Sequence, residues 1–212
     1  LLKWFNNSQK KLNCKKIGFA GGVAQNIKAI KNILDKSKIN HIYVPPGAGD
    51  ESLSIGAIYA FFASQKKFNK KISDLKNPYV SLSYKKKDFD FIHKDKSVKI
   101  TKVTKKKVAK ILSNSYPVAR YVTKMSEFGP RALGNRSILA DPRNPDIINY
   151  VNKKIKIRDF WMPFAPSILD KYLNKYIKNN NNALPYHMTY SYDATELAKK
   201  HIPAALHPFD KT

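Results

Sequence analysis

The stretch KKIGFAGGVAQNIKAIKNILDKS, residues 15 to 37, constrains the fold more than any other part of the chain. Its first eight residues read as a short buried strand running into a glycine turn, and Ile27, Ile30, Ile33 and Leu34 then recur at helical spacing behind Asn26, a residue type that caps helix starts. Strand, glycine turn and helix form the opening of an alternating layer. HIYVPP, residues 41 to 46, predicts a second strand, GAGDES a tight loop, and LSIGAIYAFFASQKK an apolar helix whose Gly56, Ala57 and Ala60 permit close packing. Two strands and two helices bury little by themselves, so this layer is part of something larger.

From Lys66 to about Ser97 the chain turns polar and irregular, which places a linker at 71–97, with at most one short strand, between a first piece, 1–70, and a second, 98–212. The second piece predicts a helix around 102 to 113, with Val103, Val108, Ile111 and Leu112 on its apolar side. Strands follow at YPVARYV and SILAD, then a helix over NPDIINYVNKKIK opened by Asn144 and Pro145. MPFAPSIL reads as extended, DKYLNKYI as a helix, NNNN as a flexible tip and HMTYSYDA as an alternating strand. The fold class is α/β (α+β) in two pieces.

Composition sets the class of partner. Forty basic against fifteen acidic residues in 212 give a net charge of +25, which attracts polyanions, although a lysine- and asparagine-rich chain carries much of that charge as solvated surface. One cysteine, Cys14, excludes an internal disulfide and favours a reducing compartment; beside an apolar run it reads as a structural thiol. No apolar stretch approaches the roughly 20 residues that cross a bilayer, and the start is a poor signal peptide, so a cytoplasmic location is expected. The chain opens without Met on what reads as the end of a helix, the mark of an excised piece.

Four segments can carry chemistry. In GGVAQN, Gly21 and Gly22 let a ligand approach the backbone at a helix start, although two glycines after a strand also make an ordinary turn. In PPGAGDES, Asp50 can cap the next helix, the commoner role, or project as a metal ligand, and Glu51 suits the helix dipole. SEFGPRALGNRSILADPR sets Arg131, Arg136 and Arg143 in a lysine-dominated chain. Guanidinium forks grip phosphate or carboxylate through paired hydrogen bonds that an ammonium cannot make, and the competing reading is a surface turn paired with Glu127, Asp141 and Asp146. In KIRDFWMPFAPS, Lys156 and Arg158 share a face if the segment is extended, and Phe160, Trp161 and Phe164 can floor a base pocket or fill a core. The five histidines show no metal-ligand spacing.

In order, GGVAQN, PPGAGDESLSIGA, EFGPRALGNRSILADPR, KIRDFWMPFAPSIL and IPAALHPFDKT make the chain resemble the carbamoyltransferase family that decorates nodulation factors and antibiotics of the tobramycin and cephamycin type. The resemblance covers most of residues 15 to 212 and implies the C-terminal piece of an actin-like ATPase-type domain, followed by an incomplete YrdC-like α/β domain. It implies that ATP and carbamoyl phosphate give carbamoyl-adenylate in the YrdC-like domain and that the first module passes the carbamoyl group to a small-molecule hydroxyl acceptor. Residue by residue it implies nucleotide contacts at Gly21, Gly22 and Asn26, an iron or other divalent-metal ligand at Asp50, and phosphate or adenylate contacts at Arg131, Lys156 and Ser167. Arg136, Arg143 and Arg158 join them on the loop argument above. Arg131, Lys156 and Arg158 are the residues expected to act in catalysis, because adenylation needs fixed cations around a phosphorus that gains charge.

The chain departs from the family pattern in Met162, where Arg usually precedes Pro-Phe-Ala-Pro, and in Lys124, Met125 and Ser126 before Glu127. The metal-ligating histidines and the start of the first module are expected upstream, as the missing N-terminal part of the same enzyme. The fragment as given need not be active. A basic RNA-binding module, or a noncatalytic relative of the tRNA threonylcarbamoylation proteins, is the alternative. RNA is disfavoured because the basic runs are scattered and no aromatic–basic motif accompanies them. The Ile55, Ile58 and Phe62 side of the helix over 51–66 is expected to be exposed.

Overall fold

A computed structural model describes residues 1–65, 77–80, 83–122, 124–179 and 186–212. Parts of the expected 71–97 linker and most of the NNNN tip lie outside the described residues. The chain divides into two compact units. The first comprises Leu1–Val80, Glu127–Leu133 and Asn179–Tyr192; the second comprises Ser81–Ser126, Gly134–Lys178 and Asp193–Thr212.

The first unit is built on α1 (Leu2–Leu12), β1 (Lys16–Gly18), α2 (Ile27–Lys36), β2 (His41–Tyr43) and α3 (Leu53–Ser64). β1 and β2 pair in parallel, Ile17 opposite Ile42, with α2 as the crossover that parallel strands require. The helical stripe read from the sequence is the core stripe: Ile30, Ile33 and Leu34 of α2 are buried with Phe5, Ile39, Ile42 and Val44. At this core's edge Tyr190 donates its hydroxyl to the Ile42 carbonyl, and Ser191 Oγ donates to the Ile27 carbonyl at 3.4 Å. These side-chain anchors stand where the sequence predicts a strand over HMTYSYDA. Only Asp193–Ala194 of that stretch is strand, because Tyr190 and Ser191 spend their side chains on distant main chain instead of alternating across a ladder.

α3 has no buried residue; Ile58 is 55% and Phe62 43% exposed, as expected for that face, while Ile55 is half-buried. Among the described residues, no helix is long and apolar enough to cross a membrane.

The second unit holds α4 (Asp90–Lys94), α5 (Lys105–Ser113), β3 (Val118–Tyr121), β4 (Arg136–Leu139), α6 (Asp146–Tyr150), α7 (Leu173–Tyr176), β5 (Ile177–Lys178), β6 (Asp193–Ala194) and α8 (Glu196–His201). Thr104 caps α5, its hydroxyl accepting from the Lys107 N–H at 3.2 Å. β3 pairs with β4 and β5 with β6, both antiparallel. One small core gathers Ile147, Val151 and Ala204, and another Ala194, Ala198 and Leu206. The architecture is mixed α/β with small sheets.

The helix predicted over 144–156 changes character midway. α6 gives way to a π-helix over Val151–Lys156, and Ile157 leaves it in the left-handed conformation, φ 48° and ψ 63°. That conformation costs a β-branched residue roughly 1–2 kcal/mol, and Ile157 is 84% exposed, so burial of its own side chain does not offset it.

Candidate functional site

In the first unit, two glycine loops meet. Gly21 closes β1 with φ 99°, donates its N–H to the Ala48 carbonyl at 2.6 Å, and starts a 3-10 turn over Gly22–Gln25. No heavy atom lies within 4 Å of where a Cβ would stand on Gly21 or Gly22, so the turn presents open backbone. Asn26 caps α2, its Oδ1 accepting from the Ala29 N–H at 3.0 Å. That oxygen already has a structural role.

The Phe128–Arg131 turn lies on the Pro46–Ala48 loop. Gly129, φ 99°, comes so close that a Cβ there would stand 2.5 Å from the Pro46 carbonyl oxygen, and a Cβ on Gly47 would stand 2.7 Å from the Phe128 ring. Glycine is needed on both sides of this contact. Buried Glu127 closes the turn by accepting from the Leu133 N–H at 2.8 Å, and Tyr79 donates its hydroxyl to the Leu133 carbonyl at 2.7 Å. Glu127 therefore shapes the loop from within. The result places half-buried Arg131 at the GGVAQN turn, Nη2 donating to the Gln25 carbonyl at 3.4 Å. A guanidinium beside open glycine backbone at a helix start is an arrangement for an anion.

Asp50 is exposed and makes no side-chain hydrogen bond among the described residues, so the expected cap is not formed; Ser52 instead donates its hydroxyl to the Gly47 carbonyl. Glu51 stands in the first turn at the helix start, as expected for the dipole, and accepts from the Gly49 N–H at 3.1 Å. Among the described residues, no three His, Cys, Asp or Glu side chains gather where they could hold a metal. Asp50 alone does not fit an iron centre.

The second unit carries Arg136, Arg143, Lys156, Arg158 and Ser167. Arg136 opens β4 opposite Tyr121 and is exposed. The Arg143 fork is taken by Asp141, Nε to Oδ1 at 2.9 Å and to Oδ2 at 3.0 Å, and the guanidinium holds the Asp141 carboxyl below its ordinary value. The pair is the surface-turn reading realised at that arginine. Lys156 ends the π-helix, exposed, and Ser167 lies exposed in the non-helical segment expected for MPFAPSIL.

Arg158 is held by neutral groups. Its Nε donates to Asn152 Oδ1 at 2.6 Å, its N–H to the Asn152 carbonyl at 3.0 Å, and its guanidinium lies 4.3 Å from the Phe164 ring centroid. Partial burial lowers its pKa without discharging a group that ionises so far above neutrality. Sequence reasoning missed Asn152, which is fully buried, because an asparagine among lysines in a helical pattern carries no signal of burial beyond its place next to Val151.

Comparison with known proteins bears on both units. Residues 1–59 match the carbamoyltransferase N-terminus family and residues 109–212 the carbamoyltransferase C-terminus family. An uncharacterized protein of Methanocaldococcus jannaschii is 31% identical over 199 residues, 89% of this chain and 32% of its own length. A second from that organism is 33% identical over 223 residues, all of this chain and 40% of its own length. The nodulation protein NolNO of Sinorhizobium fredii is 30% identical over 168 residues, 77% of this chain and 25% of its own length. The chain thus spans between a quarter and two-fifths of these relatives.

Proposed function

Because this chain belongs to the carbamoyltransferase family, we propose that it is the part of an ATP-dependent O-carbamoyltransferase that binds a nucleotide and an activated carbamoyl group. Carbamoyl phosphate loses phosphate to water to give carbamate, whose oxygen attacks the α-phosphorus of ATP and expels pyrophosphate to give carbamoyl-adenylate; the acceptor hydroxyl then attacks the carbamoyl carbon, AMP departs and the hydroxyl proton is released to solvent. The first unit supplies an actin-like ATPase-type site for the transfer step and the second a YrdC-like site for the adenylate. The observation that carries the reading is Arg131 at the Gln25 carbonyl, beside glycines with open space above them. Lys156 and Arg158 play the corresponding part in the second unit, as fixed positive charge for a phosphoryl centre. Asp50 is this chain's contribution to a divalent-metal centre that other residues must complete. The acceptor is a small molecule carrying a hydroxyl, and the reaction belongs in the cytoplasm.

The test is calorimetric titration of the chain with ATP and with carbamoyl phosphate at about 0.05 M and 0.15 M salt, beside Arg131→Ala and with bulk RNA as competitor. Binding that persists at the higher salt and is lost in the variant supports the reading. Binding of RNA alone, fading steeply with salt and indifferent to Arg131, overturns it.

A further inference from the structure

The π-helix over Val151–Lys156 ends in a turn whose conformation the exposed Ile157 does not favour, so some other group must hold it. Asn152 is that group. Its side chain is fully buried, with both Nδ2 hydrogens donated and Oδ1 accepting once. Nδ2 donates to the Phe160 carbonyl at 3.1 Å and to the Met162 carbonyl at 3.0 Å, and Oδ1 accepts from Arg158 Nε. The two carbonyls require the NH2 on one side and the guanidinium requires the oxygen on the other, so the orientation of the amide is fixed by its partners. One asparagine thereby ties the end of a π-helix, a left-handed residue, an arginine and the following four residues into a single turn.

The ties determine what Arg158 has left to offer. Nε is committed to Asn152, one face of the guanidinium lies against Phe164, and Nη2 reaches the Pro163 carbonyl only at 3.4 Å. Nη1 has no protein acceptor among the described residues. We propose that Asn152 is a positioning residue for the adenylate-forming reaction: it holds Arg158 by Nε and the Phe160–Met162 backbone by its amide, so that the Nη edge stands ready for a phosphate oxygen. This inference rests on the functional reading above. It goes beyond it in assigning the work of alignment to a buried neutral side chain, and in predicting that lysine cannot replace Arg158, since an ammonium offers no separate Nε to be held while another nitrogen binds.

The experiment uses the whole 212-residue chain in a Trp4→Phe background, so that Trp161, inside the held turn, is the sole tryptophan reporter. N152A, R158A and the double variant are compared by ATP calorimetry, by acrylamide quenching of Trp161 and by the 15N–1H signal of Arg158 Nε. N152A and R158A should each weaken ATP binding ~10-fold, and the double variant should bind no worse than either, because the two residues act as one unit. N152A should also raise Trp161 quenching and abolish the slowly exchanging Nε signal. A variant N152A that melts earlier yet binds ATP within about twofold of the parent shows a purely structural asparagine and overturns the proposal, as do losses that multiply in the double variant. If N152A does not fold, N152D keeps the acceptor for Nε but loses both donors; retained Nε signal with raised quenching and weakened ATP binding supports the proposal, and unchanged ATP binding overturns it. Failure of the parent chain to bind ATP overturns the adenylate reading alone. The Nε signal then decides the positioning claim separately: its loss in N152A sustains it, and its persistence refutes it.

Discussion

Replacing Gly129 by alanine tests whether the loop-on-loop contact creates the first unit's site. At φ 99° an L side chain is strained, at roughly 1–3 kcal/mol. The added Cβ would stand 2.5 Å from the Pro46 carbonyl oxygen and 3.1 Å from its carbon, so one backbone must retreat by roughly 0.9 Å to reach ordinary contact. Overpacking of that kind adds about 1–3 kcal/mol, since backbone cannot rotate aside as a flexible side chain can. The two together come to about 3 kcal/mol if the loop partly relaxes, and at about 2–4 °C per kcal/mol for a chain of this size the melting midpoint should fall by about 6–12 °C. Trp4 reports on the first unit once Trp161 is replaced by Phe, and Gly18→Ala is the matched control, because no heavy atom lies within 4 Å of its Cβ position. Arg131 is carried on the same turn, so ATP affinity should fall with stability in G129A and remain in G18A. A midpoint within about 2 °C of the parent would show that the two loops give way easily, and would remove the packing argument for where Arg131 sits.

Arg143→Ala should leave ATP binding near that of the parent, since Asp141 already occupies its fork, whereas Arg131→Ala should weaken it ~10-fold or more; titration of both variants separates them. Asn26→Ala removes the cap of α2 and should cost about 1 kcal/mol in urea unfolding of the first unit. Burial lowers the pKa of His187, so the unfolded chain takes up a proton there more readily than the folded one. Stability attributable to this group is complete well above its ordinary pKa and declines as pH falls through that value, and His187→Gln should flatten that part of the profile measured by thermal unfolding. A profile of H187Q parallel to the parent's refutes the assignment.

The sequence disclosed what periodicity and punctuation can encode. The stripe of Ile30, Ile33 and Leu34, the cap at Asn26, the strands around Ile17, Ile42 and Ala119 and the helix capped by Thr104 follow from local rules, and they stand where those rules put them. The misses fall where distant main chain competes for a local side chain. Tyr190 and Ser191 abandon strand alternation to bond carbonyls 148 and 164 residues away. Nothing in a window of neighbours foretells such partners. The arginines divide in the same way: Arg143 finds its carboxylate two residues off, while Arg131 finds a carbonyl 106 residues away.

That division bears on why a lysine-rich chain keeps arginine at all. Arg143 is held by a carboxylate, Arg131 reaches a carbonyl, and Arg158 is held by an amide and an aromatic face. Each task uses the planar fork, but Arg158 is held by neutral groups alone among the described residues. A carboxylate that neutralises an arginine removes the field a phosphoryl group would feel, whereas a neutral amide fixes direction and leaves the field intact. Asn152 therefore does for Arg158 what an aspartate there would undo. N152D makes the distinction measurable: with its acceptor oxygen kept and a negative charge added against the guanidinium, ATP affinity should fall although Nε remains bound, and an affinity equal to the parent's would refute both the charge argument and the positioning role of Asn152.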